Sequence, residues 1–335
     1  MRAYNGTASV GDFLTISIDS TALTITYQNY TNGDTGTVPY TVNGDGTYTV
    51  SDPNGNLLAA YEVPGFVLMV ETAKAGPNHN TPALITAVES AAATINTFAG
   101  RSFNYLQFRT SSGGIELGTI VVDIQGNIQH NGYWPFGVFS SSLFGGASIS
   151  ATSITEDASG NFFTINESQG ADYVFGTENG FFAVDTGNGT VLGLPKTTSK
   201  TFNAAQAGAY TAIFYEKAGA TTGQGNVEVG TATEGKGTVT VGADGSMSIS
   251  DGSGNTLATG TLAAVADTSY LYDGTQSKLP DPLYGMFTFR MSTGGVQQDV
   301  FVSFQNNAVI FSSFQTALPV AGYAPYTYYY GVGLK

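Results

Sequence analysis

The stretch His130-Asn-Gly-Tyr-Trp-Pro-Phe-Gly137 holds the only tryptophan of the chain, one of its two histidines and two further aromatic rings within eight residues. Pro135 and the flanking glycines give it the composition of a loop. A loop presenting Tyr133, Trp134 and Phe136 beside His130 and Asn131 would offer a flat apolar platform with amide donors. Such a surface stacks on a sugar ring or anchors a protein partner. The alternative use of the same residues is structural, with Trp134 plugging the end of a barrel. A second aromatic run lies near the C-terminus, where Tyr326, Tyr328 and Tyr330 would share one face of a strand and Thr327 and Tyr329 the other. That strand either closes a barrel or pairs with a neighbouring subunit in an assembly.

Other chemistry is sparsely supplied. The second histidine, His79, sits in the turn composition Gly-Pro-Asn-His-Asn with no carboxylate pattern near it, so no zinc signature is present. Asp45, Asp52, Asp244 and Asp251 recur in turns that could offer oxygens to calcium, but without an Asp-x-Asp-x-Asp-Gly run their turn-forming role accounts for them. No metal and no cofactor is expected. Gly-x-Ser-x-Gly is absent. Glu62, Glu71 and Glu89 are the carboxylates from which a glycosidase-like pair could be drawn, Glu71 standing in an otherwise apolar run. The reading is of a non-enzymatic protein, with a glycosidase-like hydrolase as the catalytic alternative.

These residues must be carried by strands. Apolar residues alternate with Thr and Ser at Leu14, Ile16 and Ile18, again at Leu23, Ile25 and Tyr27, and again at Tyr48 and Val50. That period of two predicts antiparallel sheets with one face on a core. The phrase Asp-x-x-Gly-Asn occurs at Asp52, Asp123, Asp157 and Asp251, each time between two alternating runs. Asp can bond the backbone two residues on, and Gly supplies the positive φ that launches the next strand, so the phrase predicts hairpins. Residues 42–59 align without a gap on residues 241–258, which indicates an internal repeat. Gly100 followed by Phe103, Tyr105 and Phe108 parallels Gly208 followed by Tyr210, Ile213 and Phe214, and the hairpin run 173–184 parallels 300–311. The stretch 83–97 mixes both periods and is expected to be a strand running into a short helical connector.

Three related β-modules follow, at 1–97, 98–200 and 201–335, with the polar segment 196–208 as linker; the first two are alternatively one domain. The fold class is all-β with little helix, built of tandem antiparallel modules, as barrels or sandwiches. A Gly-aromatic first strand followed by hairpin-linked strands resembles the up-and-down barrel pattern of lipocalin-like and avidin-like folds, and closure would remove edges that uncharged, Thr-rich strands otherwise expose.

Composition bounds the partners. Charged residues are 11%, against roughly 25% in an average soluble domain. The net charge of −14 and 11 scattered basic residues argue against nucleic acid. No run of 18 apolar residues predicts a spanning helix, and the start MRAYNGTASVGDF lacks the apolar core of a signal peptide. Low charge and hydroxyl-rich strands resemble the surface and secreted β-proteins of bacteria, which places the chain outside the cell or on its surface. The leading expectation is binding of a protein or glycan partner, or surface assembly, with self-association at the Tyr-rich end. The alternatives are a filament or layer subunit and a barrel that carries a small apolar, aromatic or glycan ligand. A barrel interior with at least about 300 Å³ of empty space would mark the carrier.

Overall fold

The computed structural model describes residues 1–76, 81–90, 93–109, 115–135, 143–160, 162–167, 170–219, 232–270, 276–293, 296–305, 307–315 and 326–335. Eight antiparallel strands, β1 (Arg2–Ala8), β2 (Asp12–Asp19), β3 (Thr24–Asn29), β4 (Thr35–Val42), β5 (Tyr48–Ser51), β6 (Leu57–Val63), β7 (Val67–Ala75) and β8 (Thr81–Glu89), pair in chain order. β8 returns to β1 and closes a barrel. A one-turn helix, α1 (Ile95–Phe98), leads into the next sheet.

The second barrel comprises β9 (Arg101–Arg109), β10 (Ile115–Val122), β11 (Asn127–Pro135), β12 (Leu143–Glu156), β13 (Phe163–Glu167), β14 (Gly170–Gly176), β15 (Phe182–Asp185) and β16 (Gly189–Pro195). It closes through β9 pairing with β16. The third comprises β17 (Gly208–Gly219), β18 (Ala232–Val241), β19 (Ser246–Asp251) and β20 (Thr256–Thr261) and, after an excursion, β24 to β27. The excursion carries β21 (Ala263–Ala264), β22 (Thr268–Tyr270) and β23 (Gln276–Lys278), followed by β24 (Met286–Thr293), β25 (Val296–Gln305), β26 (Ala308–Gln315) and β27 (Tyr326–Leu334). β27 closes on β17. Between β20 and β24 the described residues form no ladder, so this barrel is nearly rather than fully closed. The sandwich alternative is thereby set aside in favour of barrels.

The turn phrases behave as their residue types require. In the β5–β6 turn the Asp52 carboxylate accepts the amides of Asn54 and Asn56, each at 2.8 Å, while Gly55 adopts φ +83°. Asp123 and Asp251 repeat the pattern with Asn127 and Asn255. The same oxygens that suggested calcium are thus engaged by the amides of their own turns.

Each barrel has its own interior. The first is lined by Leu14, Ile16, Ile18, Ile25, Val38, Val50, Leu68, Val70 and Ile85. The second is filled by Phe98, Phe103, Phe163 and Phe182, whose ring centroids lie 5.1–6.3 Å apart. The third is filled by Phe214, Phe287, Phe289, Phe304 and Phe311. A fourth cluster belongs to all three, because outward-facing Met69 and Leu84 of the first barrel, Phe108 and Tyr133 of the second and Tyr215, Tyr330 and Val332 of the third share one continuous core. The excursion reinforces this junction. β22 pairs in parallel with β12, Leu279 and Leu283 enter the shared core, Asn104 donates to the Tyr284 carbonyl at 2.8 Å, and Lys196 pairs with Asp281.

Candidate functional site

The residues singled out as a platform are not an exposed loop. Residues 127–135 form β11, because Ile128, His130 and Tyr133 sit in antiparallel register with Val122, Ile120 and Leu117 of β10. Strand geometry then sends neighbours through opposite faces of the wall. His130 turns to the barrel interior, a quarter exposed, where its Nε2 lies 3.1 Å from a Glu116 carboxylate oxygen and meets the Tyr105 hydroxyl. Tyr105 also donates to Glu116 at 2.5 Å. Room for this trio comes from Gly132, where a Cβ would fall 2.5 Å from the Glu116 oxygen.

Asn131 and Tyr133 turn outward and are buried, at 3% and 2% exposure, Tyr133 within the shared core that Leu279 and Leu283 of the excursion enter. Asn131 donates to Thr119 at 3.3 Å, and burial, then the charge of Asp281, pushes the Tyr133 phenol up to about 12. Trp134 lies in the strand, and Phe136 lies outside the described residues, as does His79. His130, Asn131 and Tyr133 are therefore divided between the two faces of the barrel wall, and for these three the exposed loop is corrected to a strand.

At the C-terminal strand, Tyr326 and Tyr328 pair with Gly219 and Lys217 of β17. Tyr330 pairs with β17 on one side and β26 on the other, is 1% exposed, and stacks on Phe108 with centroids 4.8 Å apart. Strand addition at Tyr330 would have to displace β17 or β26. Burial holds the Tyr330 phenol well above its ordinary value.

A space that can receive a ligand lies in the first barrel, a cavity of about 480 Å³. Its walls are Ala8, Leu14, Ile16, Ile25, Val38, Val50, Leu58, Val70 and Ile85. The cause is side-chain size. The three barrels are all eight-stranded, and where the other two interiors carry stacks of Phe, this one carries Ala, Val, Leu and Ile along its middle, its rings being Tyr4, Tyr40 and Tyr48 gathered at one end and Tyr27 at the other. Unfilled volume is the result.

The two ends of the barrel differ. One end is shut by a polar network around Glu62, buried at 5% exposure, whose carboxylate accepts from the Tyr4 and Tyr48 hydroxyls at 2.6 Å each and pairs with Arg2. The Tyr40 ring packs on Tyr48 at 4.8 Å. Bonds from a phenol to an ionised carboxylate contribute about 1.5–3 kcal/mol each. Burial first, then Glu62, holds both Tyr4 and Tyr48 well above the usual phenol range. The other end is open between the β3–β4 and β5–β6 turns and the end of β7, and Tyr27, Asn29, Asp34, Asp52, Asn54, Glu71 and Thr72 line it, with Asn54 exposed.

Glu71 accepts the Ala59 amide at 2.6 Å just beyond Ala60–Val70, the last paired residues on that side of the β6–β7 ladder. Burial pushes its carboxyl up, against the opposing pull of that amide and of Lys236. Behind the rim, buried Asp12 binds Asn29 at 2.7 Å and the Gly76 amide at 2.8 Å through one oxygen. Among the described residues no cluster of His, Cys, Asp or Glu is arranged to hold a metal.

No model of a known protein family matches the chain, and no curated protein matches its sequence. Among solved structures, a mutant of the vaccine antigen Transferrin Binding Protein B from Haemophilus parasuis Hp5 is 10% identical, with a TM-score of 0.28 over 96% of this chain and 65% of that one. This chain thus spans less than two thirds of that protein's length. Intact Ap-TbpB, with its N and C lobes, is 12% identical, with a TM-score of 0.27 over 99% and 76% of the two chains. AofleA from Arthrobotrys oligospora is 11% identical, with a TM-score of 0.15 over 97% and 88%. None of these likenesses bears on what this chain binds. No helix among the described residues is long and apolar enough to cross a membrane.

Proposed function

We propose that this chain is a non-enzymatic, extracellular binding protein whose first barrel holds one small, largely apolar molecule. The observation that carries the reading is the cavity of about 480 Å³, walled by aliphatic side chains and open at one end. Pockets that bury a small ligand fall in the range of about 300–1,000 Å³ and combine apolar walls with a few placed polar groups, and this one has both. The second and third barrels, packed with their own Phe rings, act as a scaffold that presents the first. An extracellular setting is supported by the low charge and hydroxyl-rich surface alone.

Partner binding or surface assembly, the leading expectation from the sequence, has no comparable observation among the described residues. The large exposed apolar side chains there, Met1, Leu23, Tyr30, Val42, Leu57 and Ile124, each occupy a different strand, turn or terminus.

The test is a fluorescence titration with the neutral apolar probe N-phenyl-1-naphthylamine. Saturable binding at one molecule per chain is expected, weakened at least tenfold when Val38→Phe and Val50→Phe together fill the cavity, with stability unchanged or raised because the new rings occupy empty space. Absence of saturable binding, or binding unaffected in a folded double variant, would refute the carrier.

A further inference from the structure

The two ends of the cavity differ in charge as well as in access, and this difference selects a ligand class. We infer that the first barrel takes an amphipathic amine, with its apolar tail in the barrel and its protonated head at the rim formed by Asp34 and Asp52. The inference rests on the ligand-binding reading above and adds the chemistry of the head group.

Five observations support it. The inner wall from Leu14 to Ile85 is aliphatic and suits a hydrocarbon tail. At the shut end the Glu62 carboxylate is already matched by Arg2, Tyr4 and Tyr48, so a charged head placed there would break a satisfied buried network. The open end carries three carboxylates, Asp34, Asp52 and Glu71, with Asn29, Asn54, Tyr27 and Thr72 as neutral polar neighbours, and no Lys, Arg or His is among the described lining residues. Both Asp52 oxygens already accept from Asn54 and Asn56 in their own turn, so Asp52 acts on a head group through its charge and not through a free oxygen. The charge is felt inside the mouth, because the Tyr27 phenol is raised first by burial and then by the charges of Asp34 and Asp52. Asp12, one layer behind and bound to Asn29, keeps one buried carboxylate oxygen without a hydrogen-bond partner.

These carboxylates do not contribute equally. Burial pushes the Glu71 carboxyl up, and its oxygen is held by the Ala59 amide at 2.6 Å, so the head group is assigned to Asp34 and Asp52 on the two turns of the mouth. A carboxylate head would be repelled by that rim and a hydroxyl head would be indifferent to it. Asp34 and Asp52 are only half-buried, so screening by solvent and salt limits the discrimination to about tenfold.

Three probes with the same ten-carbon tail, decylammonium, decanol and decanoate, test the inference by calorimetric titration at pH 7 in low salt, below their aggregation limits. The expected order of affinity is ammonium, alcohol, carboxylate, with a gap of about tenfold between the first and last that closes in 0.5 M salt. Asp34→Asn is expected to weaken decylammonium severalfold and leave decanol unchanged. Asp52 also holds its turn, so Asp34→Asn is the primary variant, and Asp123→Asn, in a turn of the second barrel away from the cavity, is its control and is expected to change nothing. Equal binding of all three probes, or tightest binding of decanoate, overturns the head-group preference while the apolar carrier stands. Failure of all three to bind overturns both.

Discussion

Asp185 shows how a single side chain sets the pH response of the molecule. It lies at the seam between the first two barrels, 3% exposed, with the Gly187 amide at 2.8 Å. Burial raises its carboxyl to about 7, the Gly187 amide opposes this, and the charges of Asp172 and Asp12 add to it. A carboxyl raised on folding binds its proton more tightly in the native state. Its contribution is therefore fully present below the ordinary carboxylate value near 4 and is lost as pH rises to about 7. Stability measured by urea unfolding is expected to fall across that window by up to about 4 kcal/mol. Asp299, raised to about 6 by burial against the pull of Arg290, acts with the same sign. In Asp185→Asn the decline should shrink to the part left by Asp299 and Glu71, both also raised by burial, and an unchanged slope would contradict the burial argument. None of this was legible in the sequence, because it depends on which barrel covers the residue. The His130 segment was misread for a related reason. Its Gly and Pro content suggested a loop, but Gly132 is there to clear the Tyr105–Glu116–His130 contact, and Pro135 stands only at the last position of the strand.

At the level of elements, local turn chemistry was the most legible feature. Asp52, Asp123 and Asp251 each cap the hairpin their residue types predicted, and residues 83–97 divide into β8 and α1. The ungapped match of 42–59 to 241–258 was less informative than it looked. The first copy spans the fourth to sixth strands of its barrel and the second spans the second to fourth of its own. The match thus records what two successive tight turns need rather than equivalent positions. The weaker resemblances were the positional ones. β9 and β17 both open their barrels, and the hairpins β14–β15 and β25–β26 both supply the sixth and seventh strands. The seam of the third barrel could not be foreseen. There the Phe289 ring of β24 packs where a Cβ on Gly260 of β20 would sit, only 2.4 Å from the ring. Gly260→Val should force the seam apart and cost about 1–3 kcal/mol in urea unfolding. A change within about 0.5 kcal/mol, the size of an ordinary surface substitution, would show that the ring does not close the gap.

For the molecule as a whole, the distribution of Phe separates the first barrel, which holds the cavity, from the other two, and that distribution stands in the sequence. Of 21 Phe residues, only Phe13 and Phe66 precede residue 98. Both face away from their barrel: Phe66 joins the shared core, and Phe13 packs on Tyr30, Phe162, Tyr173 and Phe175 with centroids 5.0–5.4 Å apart. A barrel of unchanged strand number without Phe inside must either collapse or keep a hole, and closed ladders resist collapse. The alternation at Leu14, Ile16 and Ile18 identified the lining face, but which strands would complete the mouth depends on closure through β1 and β8. The hollow first barrel is the central claim, and methyl NMR on isoleucine-labelled protein tests it most directly. On adding decylammonium, the methyl signals of Ile16, Ile25 and Ile85 should shift saturably, while those of Ile128 and Ile154 in the second barrel and Ile249 in the third stay in place. Shifts confined to the second or third barrel, or none at all, would contradict it.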